Sequence, residues 1–507
     1  MLITILVWIY TTLICWVYGY KFSRLIGKPK NDLNDLHFGI LCLIGLSILT
    51  VIGSIASFFI GLNNIYIHAA IILIAVILAT KIPSKAYKRL KENLTRNSLF
   101  PFLLILVGTL VILTMSVWHI NHPDTIEYHS IIIESIKDKK LENGGALQNL
   151  RYGLQSNWFI SCALFSLDFF SFYNLTYINS AILIWVICFT GFQIQKNSFS
   201  IAHQKYHHKS LLWIFFLVFA FWDYVQIRLT ATSASPDFPT TIYILLIGYY
   251  FITYQQNKEN ILLLFFLIAF TFSLKLFSFP LIVLLIYLGY SQLKKYTSSI
   301  LPSFIIFLIT CSPFMLRNYY VSGHILYPST FPMAGKPVWQ VPITDLQYLH
   351  DYIKAYARTA SSDDPTIAKQ VANAALSDWL PDWWKLRNSA QKTILLLTVT
   401  FLMVSLVFIR KIFLHYSIKQ KALFSTNLLG LISWFLLAPD PRFGTAYFVL
   451  LGYTALINTD KFYLNSMILE KSTVISLSLL SLGLFGYLTY RIIYYFDLVN
   501  LLNPYSI

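Results

Sequence analysis

Again and again along this chain, about twenty residues pass without a charge. Residues 99–118 read LFPFLLILVGTLVILTMSVW, and 37–60 and 300–316 are built the same way. Crossing the hydrocarbon core of a bilayer takes roughly 20 apolar residues as a helix. Runs of this kind leave little choice of fold. The chain is 57% hydrophobic and 12% charged, whereas a soluble domain is about 45–50% apolar and about 25% charged. An all-α polytopic membrane protein is expected.

Spans are expected near 1–20, 37–60, 64–80, 99–118, 174–193, 210–222, 237–254, 260–273, 277–290, 300–316, 392–409, 422–438, 444–458 and 472–489. The runs at 210–222 and 277–290 are short, as tilted, broken or re-entrant segments are. MLITILVWIY has no basic leader and no small-residue cleavage site, so it reads as a first span rather than a signal peptide.

The formal net charge of +16 would point to nucleic acid in a soluble protein. In a polytopic chain the excess of Lys and Arg marks the cytoplasmic loops, and no nucleic-acid partner is expected. The basic segments KFSRLIGKPK, KIPSKAYKRLK, QIQKNSFSIAHQKYHHK, QLKKY and RKIFLHYSIKQK alternate with the spans. They place 119–173, 223–236, 317–391 and 438–444 together on the opposite side. The chain then divides into 1–118 (helical spans), 119–173 (a first outer loop), 174–316 (spans), 317–391 (a small helical outer domain) and 392–507 (spans). Five scattered Cys form no C-x-x-C pair, so neither a metal nor a disulfide signature is present.

Polar residues concentrate in the first outer loop. HINHPDTIEYHS packs His119, His122, Asp124, Glu127, Tyr128 and His129 into a few residues. Pro123 fits a first helical turn and Asn121 a cap. Asp124, Glu127 and Tyr128 then share one face of a short helix. The run at 156–172, SNWFISCALFSLDFFSF, reads as an interfacial helix rather than a span. In the later loop, DLQYLHDYIKAYAR and PTIAKQVANAAL look helical, with Asp363 and Asp364 starting the second. Trp379, Trp383 and Trp384 in WLPDWWK read as an aromatic belt at the membrane surface.

A carboxylate in a helix's first turn can simply answer the dipole. Ionisable groups at membrane depth are more often functional, and here Asp124 and Glu127 are flanked by three histidines. Asp237, in SPDFP, caps a span or faces the same space. Lys275, Arg317 and Arg442 sit at the outer ends of apolar runs. Each could snorkel; three cations at one level suggest an anion site, where Arg offers a fork and Lys a point charge. Walker-A, GxGxxG, HExxH and GxSxG patterns are absent, so nucleotide hydrolysis, redox and serine-hydrolase chemistry have no support.

Taken together, HPDTIEYHS, GLQSNWF, SPDFP, RNYYVSGHILYPS and APDPRFG resemble a bacterial branch of the GT-C class of membrane glycosyltransferases. The resemblance spans roughly 119–445. It implies a GT-C-like bundle of about 12–14 transmembrane helices, with interfacial helices in the first outer loop and a larger later loop. It implies transfer of a sugar, with inversion, from a polyprenyl-phosphate carrier to a glycan or lipid acceptor at the outer face of the bacterial inner membrane. Asp124 matches the general base by position, with Glu127 orienting the acceptor or a metal. Lys275, Arg317 and Arg442 match the residue types that hold the carrier phosphate. His122, Tyr128, His129, Arg151, Asp237 and Tyr327 complete the expected substrate-binding set. No cofactor is expected. A divalent cation, used by some members with paired acids, lacks support because there is no Asp-x-Asp. A transporter or flippase of lipid-linked sugars would want the same residue types but also inverted repeats, and none is visible. A polymerase or ligase of the O-antigen type is a further alternative.

Overall fold

The computed structural model describes residues 2–26, 36–95, 99–116, 122–168, 177–199, 208–253, 257–329, 337–359, 364–407, 409–410, 414, 417–463 and 466–495. Every regular element among the described residues is helical. In chain order, α1 is Leu2–Leu25, α2 Phe38–Ala56, α3 Ile65–Thr80, α4 Ser84–Thr95 and α5 Leu99–Ser116. A π-turn at Thr125–His129 runs straight into α6, Ser130–Asp138, and α7 is Asn157–Leu164. The central set is α8 Tyr177–Phe199, α9 His208–Trp222, α10 Tyr224–Ala231, α11 Asp237–Thr253, α12 Lys258–Leu274, α13 Ile282–Lys295 and α14 Ile300–Ser322. The later loop holds α15 Ile343–Thr359, α16 Pro365–Asn373 and α17 Leu376–Leu386. The chain continues with α18 Ser389–Val407, α19 Ile418–Leu437, α20 Pro441–Tyr463 and α21 Ser466–Tyr495.

Six described helices are long and apolar enough to cross a membrane, or eight if each sharply bent pair, α3–α4 and α9–α10, counts as one span. This is an α-helical, multi-pass membrane protein. Each of the fourteen expected apolar runs carries a helix, but several, such as the 17-residue α11 and α12, are short for a complete crossing.

The bundle is built around α2, which is buried over most of its length. It crosses α1 at Gly19 and Gly45. A Cβ on Gly19 would fall 1.8 Å from the Leu41 carbonyl oxygen, and one on Gly45 1.8 Å from that of Cys15. Small residues at a crossing let two backbones touch, the commonest way helices associate without a hydrophobic drive between them.

The helix expected over 156–172 is shorter and lies inside the bundle, and 169–172 fall outside the described residues. It is the eight-residue α7, every residue of which is buried. The reason is its polar side chains, which tie the interior together where unpaired groups would be costly. Ser161 meets Thr50 at 2.6 Å, and Asn157 accepts from Ser54 at 3.0 Å and donates to Ser273 at 3.0 Å. The tryptophans of the later loop also depart from expectation. Trp379 and Trp383 are buried, packed against Phe435 and Trp434 of α19. They anchor the helical subdomain to the bundle instead of forming a belt; Trp384 is partly exposed. Asp364 caps α16 as expected, accepting from Thr366 N at 2.7 Å. Asp363, and the expected Asn121 cap with its neighbour His119, lie outside the described residues.

Candidate functional site

Four charged residues meet in one cavity, and each sits at the end of a helix. Asp124 opens the helix of the first loop. Asp237 is the first residue of α11. Lys275 follows the last residue of α12 in an extended conformation, before a 3₁₀ turn at Leu276–Leu281. Arg442 is the second residue of α20, behind Pro441. Pro suits a first helical turn because the N–H it lacks has no intrahelical partner there.

Buried polar contacts fix these ends. Ser156 caps α7 and donates to the Leu274 carbonyl at 2.7 Å, holding the backbone just ahead of Lys275. Asn179 of α8 donates to the carbonyls of Thr230 and Ser235 at 2.8 and 2.9 Å, shaping the turn that delivers Asp237. Asn179 is itself held by the Trp158 indole at 2.7 Å. The turn before Arg442 is clamped by two other indoles. Trp383 donates to the Pro439 carbonyl at 2.8 Å and Trp434 to that of Asp440 at 2.7 Å. The Asp440 side chain accepts from the Arg442 backbone N–H at 3.0 Å.

Arg442 is the hub. Its Nη1 donates to Asp124 Oδ2 at 3.2 Å, and its Nε lies 3.3 Å from Asp440 and 3.8 Å from Asp237. That Nε is buried without an aligned hydrogen-bond acceptor. Asp237, buried, is also paired with Lys275. The Lys275 ammonium stands 3.6 Å from the centre of the Phe443 ring, and the Arg442 guanidinium 4.8 Å from it. Burial alone would raise the Asp124 carboxyl, but the Arg442 guanidinium, aided by His122 and His129, outweighs it and holds the group below its ordinary value. Asp124 is therefore ionised at neutral pH.

The cavity has a volume of about 290 Å³. Of the expected residues, Asp124, Glu127, Tyr128, His129, Arg151, Asp237, Lys275, Tyr327 and Arg442 all line it. Glu127 and Arg151 pair with each other, and Arg151 reaches Tyr352 OH at 2.6 Å. Tyr327 donates to the Leu150 carbonyl at 2.7 Å. His122 stands behind the wall, its ring stacked 5.7 Å from that of His129. Burial pushes the imidazole of His129 down to about 3 and lowers that of His122 as well. Both are neutral at pH 7.

Arg317 does not belong to this cavity. It is buried in α14, donates to Ser57 Oγ, and lies 5.8 Å from the ring of Phe58. Its side chain points to another sector of the bundle. Asp440, Tyr352 and Tyr356 were missed from the sequence and do line the cavity. Asp440 lay in plain view in APDPRFG; the tyrosines had only their period of four on α15 as a signal.

The fit of a divalent cation can be tested on the carboxylates present. Asp124, Asp237 and Asp440 all turn toward Arg442 or Lys275. Among the described residues no group of three or more His, Cys, Asp or Glu is arranged to hold a metal ion. The donor set does not fit one.

A family profile described as "Domain of unknown function (DUF8201)" matches residues 1–449. The chain belongs to the DUF8201 family. The matched region takes in the whole cavity, from Pro123 to Phe443. No curated protein matches this DUF8201 chain, and no solved structure does.

Proposed function

We propose that this protein is a membrane glycosyltransferase of the GT-C type. In this reading it moves a sugar, with inversion, from a polyprenyl-phosphate carrier to a glycan or lipid acceptor at the outer face of a bacterial inner membrane. The bundle is then a GT-C-like one, its shorter helices crossing as tilted or broken spans among about 12–14. The observation that carries the proposal is the meeting of Asp124 with Arg442, at 3.2 Å, in a chamber that Lys275 also lines. Asp237 and Asp440 line the recess too, and a carboxylate beside two cations suits transfer from a phosphate carrier.

The chemistry follows from the groups present. Asp124 takes the proton of the acceptor hydroxyl as that oxygen bonds to the anomeric carbon. The bond from the anomeric carbon to the phosphate oxygen breaks, and its electron pair stays on the carrier phosphate. Arg442 and Lys275 face the charge that develops there. Preorganised cations are worth most when aimed at developing charge in a water-poor site.

The ion pairs also suggest an order of events. While Arg442 holds Asp124, that carboxylate is a weak base. A phosphate that takes over the guanidinium releases Asp124 and raises its basicity, so the base is armed once the donor is in place. General-base help of this kind contributes about 10²–10⁴-fold. Incubating the purified protein with a panel of polyprenyl-phosphate sugars and an envelope-lipid extract tests the reading. Sugar leaving the carrier and appearing on an acceptor supports it. Donors that bind and cross a bilayer unchanged would favour a flippase.

A further inference from the structure

The chamber continues outward. A wider recess of about 550 Å³ adjoins it and shares Glu127, Arg151, Leu349 and Tyr352 with it. Helix α15 runs along both. Tyr348 faces the outer recess, Tyr352 both, and Tyr356 the inner chamber. Consecutive rings are 6.2 Å apart, centre to centre, and the inner pair is stacked with 25° between planes. That spacing is the rise of four helical residues, about 6 Å, of the order of one sugar unit. The rings are half-buried or exposed, Tyr356 at 39%.

We propose that this tyrosine ladder is a subsite for an extended, uncharged glycan of at least three sugars, whose terminal hydroxyl it delivers to Asp124. The inference rests on the transferase reading and names its acceptor. The partly exposed rings offer apolar surface of the kind pyranose C–H groups pack against, although the Arg151 guanidinium lies over Tyr352 and the Tyr348 ring is tilted 52° from it. Glu127, Arg151 and Asn149 offer hydrogen bonds at the ring edges. Arg151 is aligned by its pairing with Glu127 and by contact with Tyr352, whose ring centre is 4.9 Å from its guanidinium. Charge argues for a neutral ligand, because the outer recess carries one carboxylate and one guanidinium, which cancel. A polyanion would find no net attraction there.

The test uses the full-length protein in detergent, with linear β-linked neutral oligosaccharides from disaccharide to hexasaccharide as probes, and calorimetry as the readout. The ladder requires affinity to rise with length up to the tetrasaccharide and then level off. Tyr348→Ala should lose roughly tenfold of the tetrasaccharide affinity. It should leave the disaccharide almost unchanged, because the outermost ring is the one removed. Tyr348→Phe keeps the ring and should bind like the parent, which separates loss of stacking from misfolding. Affinity independent of length, no millimolar binding of any probe, or Tyr348→Ala equal to the parent would overturn the proposal. Sugar transfer is measured in parallel. Ladder-dependent binding without transfer would leave the groove standing and remove the transferase. Transfer with ladder-blind binding would do the reverse.

Discussion

Replacing Arg442 with Met should destabilise the fold, and removing one acid as well should return part of the loss. Three carboxylates face the guanidinium: Asp124 at 3.2 Å, Asp440 at 3.3 Å and Asp237 at 3.8 Å. Without it, Lys275 is left to offset them, and it is already paired with Asp237. Removing one partner of a buried ion pair typically costs about 3–5 kcal/mol, because the charge left behind is uncompensated. Unfolding entropy is about 2.1 cal/mol/K per residue, so a chain of 507 residues changes midpoint by about 1 °C per kcal/mol. Arg442→Met should therefore melt about 3–5 °C lower in detergent, by intrinsic fluorescence or static light scattering. Asp124→Asn alone leaves Arg442 with two carboxylates and should cost little. Combined with Arg442→Met it removes one of the stranded charges. The double variant should stand above the sum of the singles by at least about 1.5 kcal/mol, a coupling of the size seen for close charge pairs. Strictly additive losses would show that Arg442 and Asp124 do not share a site in the folded protein, and the reasoning would fail.

Three other outcomes follow from the same contacts. The neutral, buried His129, held at about 3, means that folded protein resists a proton the unfolded chain accepts near 6.5. Its stabilisation is complete above that value and is lost as pH falls below it, by about 2 kcal/mol at pH 5. His129→Gln should flatten the melting profile over that range, and an unchanged pH dependence would contradict the assignment. The depressed Asp124 carboxyl, by contrast, matters only below its ordinary value of 3.8. Trp383→Phe keeps the ring but strands the Pro439 carbonyl, at a cost of about 1–3 kcal/mol; a parent-like melt would remove the clamp from the account. Cysteines placed at the exposed Lys140 and Lys369 should both react with an impermeant maleimide in intact cells, against a low background because four of the five native cysteines are buried. Labelling of either one only after permeabilisation would break the shared outer side.

Hydropathy made the helices legible because burying an apolar run in lipid needs no partner. It also gave depth: Asp124, Asp237, Lys275 and Arg442 were found as charges at the ends of apolar runs, and they meet. What it could not give is azimuth. Arg317 has the same signature as Arg442, yet turns toward Ser57 and Phe58, because rotation about the bundle is set by packing between distant segments. Asn179 and Ser156 looked like ordinary polar residues near apolar runs. Their roles appear only when α10, the turn after it and α12 bring the Thr230, Ser235 and Leu274 carbonyls to them. The tryptophans of α17 were misread for a related reason. An indole that clamps a turn and one that floats at a membrane surface look alike in sequence, and the Pro439 carbonyl that decides the matter lies 56 residues away.

The central claim is that Asp124 is a general base in sugar transfer, and its isosteric amide tests that most directly. Asp124→Asn keeps the size and much of the hydrogen bonding but has no oxygen that can take a proton. Purified in detergent and given a polyprenyl-phosphate sugar with its acceptor, the variant should bind the donor at least as tightly as the parent does, because no carboxylate competes with the phosphate for Arg442. It should transfer at least about 100-fold more slowly, the low end for loss of a general base. Glu127→Gln, paired with Arg151 away from Arg442, should cost less. Transfer by Asp124→Asn at close to the parent rate would contradict the claim and move attention to Glu127.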